Sequence, residues 1–113
     1  MRSGTMPHRI YWGYMLKCSD DSYYVGMTEN LAIRLAQHEA GVDSKGYTHS
    51  RRPVELVRSQ EFSTHDEAFQ REHQLKGWSR TKKEALIRGD WDGIHEIVKQ
   101  EREKRKDKKN EAS

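Results

Sequence analysis

The stretch that decides the fold runs from Tyr14 to His38 and reads YMLKCSDDSYYVGMTENLAIRLAQH. At its centre, Ser19-Asp20-Asp21-Ser22 is turn chemistry, with short polar side chains that satisfy local backbone groups. Runs of aromatic and aliphatic residues lie on either side, Ile10 to Cys18 and Tyr23 to Met27, close enough to form an antiparallel hairpin. The first run carries large side chains on both alternating faces, which suits a strand buried on both sides. Gly26 removes a side chain from the end of the second, as expected where backbone or ligand approaches closely. Asn30 then caps a helix reaching about Ala40, with Leu31 and Leu35 as its apolar stripe and Gly41 as its stop. Arg34 and His38 project from one face of that helix, four residues apart. Hydroxyls, a guanidinium and an imidazole therefore come within reach of one point, where an anion such as a phosphate could sit.

Working outward, the chain of 113 residues is expected to form one small domain. At that size it buries only about 60–65% of the surface its unfolded chain exposes, so the core is modest. Three Trp, five Tyr and two Phe supply large side chains to fill it. The single cysteine, Cys18, excludes an intramolecular disulfide and points to a reducing compartment. With no bilayer-length apolar run and no secretory signal, cytoplasmic residence is expected and a membrane partner is not. A formal charge of +3 is only mildly basic. Residues 1–95 carry 14 Lys and Arg against 13 Asp and Glu, and residues 96–113 carry 7 against 5. Local clusters, rather than total charge, must carry any nucleic-acid argument.

Beyond Gly41 the segment to Pro53 is a long connection, of the kind that is usually functional or mobile. Val54 to Phe62 reads as a third strand, with Val54 and Leu56 on one face. Thr64 followed by Glu67 is a capping box opening a helix to Lys76, which Gly77 can end. Ser79 or Thr81 begins a helix to Arg88, stopped by Gly89. Asp90 to Gln100 suits a last helix anchored by Trp91, Ile94, Ile97 and Val98. The expected fold is α+β, a small three-stranded antiparallel sheet flanked by helices. Residues 1–9 read as a flexible N-terminus, 10–100 as the domain and 101–113 as a charged tail, helical at most part-way and otherwise disordered.

Glu72 lies on the apolar stripe of its helix, where an unpaired carboxylate is costly. An ion pair with a nearby base would explain it, and so would a magnesium ion, which one or two carboxylates commonly hold. Arg34 and His38 alone would suit a solvated helix face, and Tyr14 and Tyr24 alone would suit the core. Together with Glu72 they are the parts phosphodiester cleavage needs. In the long loop, Lys45, His49, Arg51 and Arg52 gather around Tyr47, an arrangement that suits a phosphate backbone with an unpaired base stacked nearby.

With these residues in view, the chain resembles the GIY-YIG nuclease superfamily. The half-motifs are Trp12-Gly13-Tyr14 and Tyr24-Val25-Gly26, with the tyrosines ten residues apart. Arg34, His38 and Glu72 fall where that family places its helix arginine, a frequent histidine and its metal-binding glutamate. The likeness spans about Ile10 to Ile87. It is closest to small stand-alone bacterial-type proteins related to the catalytic domain of the excision-repair nuclease, and YTHSRRPVELV and REHQLKGWSR are similar throughout. Gly13 directly precedes Tyr14 instead of standing one residue further back, Met27 replaces a lysine, and Lys76 is the nearest polar counterpart of an asparagine found in some members. The resemblance implies a metal-dependent endonuclease with one Mg2+ or Mn2+ on Glu72. Tyr14, Tyr24, Arg34 and His38 would be catalytic, and Lys45, Tyr47, His49, Arg51, Arg52 and Lys76 would meet the nucleic acid. With no separate base-reading element, the expected substrate is DNA chosen by structure, branched or single-stranded. A catalytically weak or inactive nucleic-acid-binding module is the alternative.

Overall fold

Strand β1 (Tyr11–Lys17) forms the middle of a sheet ordered β2-β1-β3, with β2 (Tyr23–Thr28) and β3 (Glu55–Phe62) antiparallel on either side. The computed structural model describes residues 9–111. Pairing on both edges leaves β1 no exposed ladder, and Tyr14, Met15 and Leu16 are all buried, as a two-faced apolar strand requires. The β1–β2 turn closes through Cys18 N–H donating to Ser22 O at 2.8 Å, with Asp21 at φ 66°. Asp and Asn tolerate that left-handed conformation better than most residues. Asp20 Oδ1 accepts from both the N–H and the hydroxyl of Ser22, which holds its carboxyl below the usual range, with further help from Arg51.

β3 departs from the expected alternation. Met15 pairs with Arg58 but Leu16 pairs with Leu56, so Val57 is an extra residue in the ladder. Such a bulge breaks the period of two. Leu56 is consequently exposed, and Val57 is half-buried.

The helices start and stop where their caps dictate. Helix α1 (Leu31–Ala40) begins with Asn30 accepting from Ile33 N–H and ends at Gly41 with φ 66°. Leu31 and Leu35 are half-buried, and the one fully buried residue of α1 is His38. In α2 (His65–Lys76) the first half of the capping box forms, with Thr64 Oγ1 accepting from Glu67 N–H, and the Thr64 hydroxyl donates to Glu67 Oε1 at 2.9 Å. This helix packs across the sheet with Ala68 fully buried.

The chain divides between Gly77 and Trp78 into two compact units. The second holds α3 (Arg80–Arg88), capped by Ser79 and Gly89, and α4 (Trp91–Glu111), which pack on each other around Ala85, Leu86 and Ile94. Trp91, the first residue of α4, is 50% exposed, while Ile94, Ile97 and Val98 carry the apolar stripe. In the tail, α4 continues through Glu111. Residues 101–111 are rich in Glu, Lys and Arg, good helix formers that extend a helix already nucleated. The expected flexible residues 1–8, and residues 112 and 113, lie outside the described residues. Among the described residues, no helix is long and apolar enough to cross a membrane.

Candidate active site

Tyr14 and Leu16 of β1 face Gly26 and Tyr24 of β2 in register, so both phenols rise from one side of the hairpin. A Cβ at residue 26 would stand 2.6 Å from Tyr14 Oη, so Gly26 leaves the space that this phenol occupies. Helix α1 delivers Arg34 and His38 one turn apart to the same place. His38 Nε2 is 2.9 Å from Tyr14 Oη, and the imidazole ring lies 5.2 Å from the ring of Tyr24. On its far side, His38 Nδ1 is 2.7 Å from Thr48 Oγ1. Tyr14, His38 and Thr48 are 3%, 6% and 5% exposed, so the hydrogen-bonded chain is almost wholly buried.

Burial and neighbouring charges bias the protonation states. Burial, followed by the neighbouring Tyr24 and, more weakly, Glu72, pushes the Tyr14 phenol up to about 12, although Arg34 pulls the other way. Burial and the adjacent Arg34 hold His38 below its ordinary pKa, so the imidazole is neutral near pH 7. Burial also opposes the charge on Arg34, but its contacts with the hydroxyls of Tyr14 and then Tyr24 outweigh that cost and hold the guanidinium charged. A neutral phenol that accepts from Arg34 has its proton left to donate to His38 Nε2. The remaining ring N–H then belongs on Nδ1, donating to Thr48 Oγ1. Arg34 is steadied by Gln37, whose Oε1 accepts from Nη1 at 3.1 Å.

Beside this chain is a concavity of about 40 Å³, lined in part by Tyr24, Arg34, His38, Tyr47 and Thr48. It has room for about two waters. The loop that walls it is closed by its own basic residues. Arg51 donates to Tyr47 O at 2.8 Å and pairs with Asp20 at 3.0 Å. Its guanidinium lies 3.9 Å over the Tyr47 ring, and that ring stacks on Tyr24 with centroids 6.0 Å apart. Arg52 donates to Glu39 O and His49 O, and His49 Nδ1 donates to Gly41 O. Arg51, Arg52 and His49 thus spend hydrogen bonds on holding the loop, and Tyr47 has internal ring partners. Lys45 is exposed.

Glu72, on α2, has a side chain only 14% exposed and an ion pair to Lys76 at 2.9 Å. The inward position expected from the helix pattern and the paired partner are both present. Its carboxylate is close enough to raise the Tyr14 pKa. Among the described residues, no three His, Cys, Asp or Glu side chains gather into a metal cage. A lone inward carboxylate still suits magnesium, which keeps most of its waters and takes substrate phosphate as a further ligand. Sequence reasoning did not find Thr48 or Gln37. Thr48 lies between two residues that it did single out, Tyr47 and His49, but nothing local marks its hydroxyl as a partner for an imidazole ten residues earlier.

A three-stranded antiparallel sheet that sets two phenols against a helix-borne arginine and histidine has the build of a phosphodiester-cleaving domain. The chain belongs to the GIY-YIG catalytic domain family, whose profile matches residues 10–85. That is a nuclease family, its substrates are nucleic acids, and its members generally use divalent metal ions. Among its relatives, the UPF0213 protein NP_0776A of Natronomonas pharaonis is 46% identical over 77 residues, covering 68% of this chain and 89% of that protein. A UPF0213 protein of Bacillus pumilus is 46% identical over 80 residues, covering 71% and 80%. The solution structure of the protein EF2693 from E. faecalis superposes with a TM-score of 0.53 at 30% identity, covering 75% of this chain and 90% of that one.

Proposed function

We propose that the protein is a metal-dependent endonuclease that hydrolyses DNA phosphodiester bonds and selects its substrate by structure rather than sequence. The observation that carries this reading is the buried chain of Tyr14, His38 and Thr48, with the charged Arg34 set against the same phenol. In the proposed reaction Tyr24 orients the attacking water. Tyr14, held by its 2.9 Å contact to His38, supports that position, and the attacking water gives up its proton to solvent. Arg34 stabilises the charge growing on the phosphoryl oxygens. The bond between phosphorus and the 3′ oxygen breaks, and solvent protonates the leaving group. Glu72 would hold the single Mg2+ or Mn2+, which when bound supplies Lewis-acid neutralisation at the phosphate and the leaving oxygen. Lys76, now paired with Glu72, would release it and turn to phosphate. Lys45, with the outer edges of Tyr47, His49, Arg51 and Arg52, would flank the DNA backbone.

One observation favours the alternative, a nucleic-acid-binding module without useful catalysis: Lys76 already satisfies the Glu72 carboxylate. The two readings separate when nicked, supercoiled and branched DNA are incubated with Mg2+ or Mn2+. The endonuclease reading expects cutting by the wild type, abolished by chelation and strongly reduced in Arg34→Ala. Equal products from wild type and variant would leave only the binding module.

A further inference from the structure

Along the outer edge of α2, His65, Phe69 and His73 recur one turn apart, and Tyr11 of β1 extends the row. The rings form a continuous ladder. Tyr11 meets His65 edge-on at 5.7 Å, His65 stacks on Phe69 at 5.9 Å, and Phe69 meets His73 edge-on at 4.3 Å. The three helix residues are exposed, Phe69 by 46%. A phenyl ring that open to water gains little from packing. At its Tyr11 end the ladder opens into a basin of about 440 Å³, with Arg9 on its rim paired to Glu29 at 3.3 Å.

We propose that this ladder is a stacking platform for unpaired nucleobases of a strand that threads the active site. The inference rests on the nuclease reading above and names the part of the substrate that α2 holds. Three features favour a nucleic acid as the occupant. Flat rings exposed in a row are what successive bases stack on, and such stacking tolerates any sequence. From His65 to His73 is eight residues, or about 12 Å of helix at 1.5 Å per residue. That matches about three nucleotides at 3.4 Å each. The row also shares α2 with Glu72, the carboxylate proposed to hold the ion, which immediately precedes His73 in sequence. Bases bound there would therefore belong to the strand whose phosphate reaches the site.

The test compares fluorescein-labelled duplexes that are identical except for a six-nucleotide single-stranded tail, with binding measured in EDTA so that cleavage plays no part. The wild type should bind the tailed duplex more tightly than the blunt one. Phe69→Leu keeps the apolar bulk but loses the aromatic face, and should weaken tailed binding by about tenfold or more. Blunt binding should stay the same, and Phe69→Tyr should restore the tailed affinity. His65→Leu should act in the same direction as Phe69→Leu, and melting curves on every variant identify any loss caused by unfolding. Equal tailed affinity in wild type, Phe69→Leu and His65→Leu would overturn the proposal, as would parallel losses on both duplexes. If those losses fail to appear while the wild type still cuts DNA, the platform falls and the nuclease reading stands. The opposite pattern would retain the platform on a protein that only binds.

Discussion

Each of the two compact units buries polar side chains, and the difference between them separates packing from chemistry. In the second unit Lys82 is 7% exposed, donates to Glu101 at 2.8 Å and lies 5.0 Å from the Trp78 ring. Its charge is answered by an opposite charge, so burial ends in neutralisation. In the first unit His38 and Thr48 are buried as deeply, but the groups are neutral and the chain they form leads through Tyr14 to a cation beside an open concavity. Polar groups held in that state can pass a proton or meet an anion, whereas the Lys82 pair can only hold two helices together.

The contrast breaks most visibly at Arg34. Arg34→Ala should lower single-turnover cleavage by about 10²–10³-fold with an unchanged circular dichroism spectrum. Gly26→Ala should come next, because the added methyl meets Tyr14 Oη at 2.6 Å and Tyr24 at 3.0 Å. Displacing the phenol should cost about 10²-fold in rate and about 1–3 kcal/mol of stability, read from cleavage assays and urea unfolding of the same preparation. Lys82→Met should lose about 2 kcal/mol in urea unfolding, with Glu101 softening the loss because it is 36% exposed. The cutting rate per folded molecule should not move. Thr48→Val removes a hydroxyl while keeping its shape, and should cost about 1 kcal/mol. Without that acceptor His38 is free to change tautomer, so kcat should fall more than KM rises.

The smallest effect is on pH dependence. An ordinary imidazole takes up its proton near pH 6.5, whereas folded His38 does so only at lower pH. The unfolded chain therefore binds that proton first. The stability gained from neutral His38 is complete above about pH 6.5 and is lost as pH falls through that value toward the folded pKa. Unfolding titrations at pH 7.5 and 5.5 should show this loss in the wild type, and a smaller one in His38→Asn.

Most of the fold was legible because its signals are local. Asn30, Thr64 and Ser79 cap the helices they precede, and Gly41 and Gly89 end theirs in the left-handed conformation that glycine accepts. Tyr14, Tyr24, Arg34 and His38 could be placed together because a hairpin and a helix face have fixed periods. The bulge at Val57 could not be foreseen, since register depends on the partner strand. Nor could the loop's use of Arg51 and Arg52, whose composition suggests phosphate contacts while their geometry spends them on Asp20 and on backbone carbonyls. Thr48 was hidden for the same reason, because its role exists only once the loop folds back onto α1. The end of α4 lacks apolar residues, so how far it stays helical rests on its good helix formers alone.

The most direct measurement is single-turnover cleavage of a branched DNA in Mn2+ by wild type and by Glu72→Gln, which keeps the size of the side chain and removes its charge. If residue 72 holds the ion, the wild type cuts, and the folded variant falls to the level of wild type in EDTA. Cutting by Glu72→Gln at the wild-type rate would contradict a metal-dependent site built on that carboxylate.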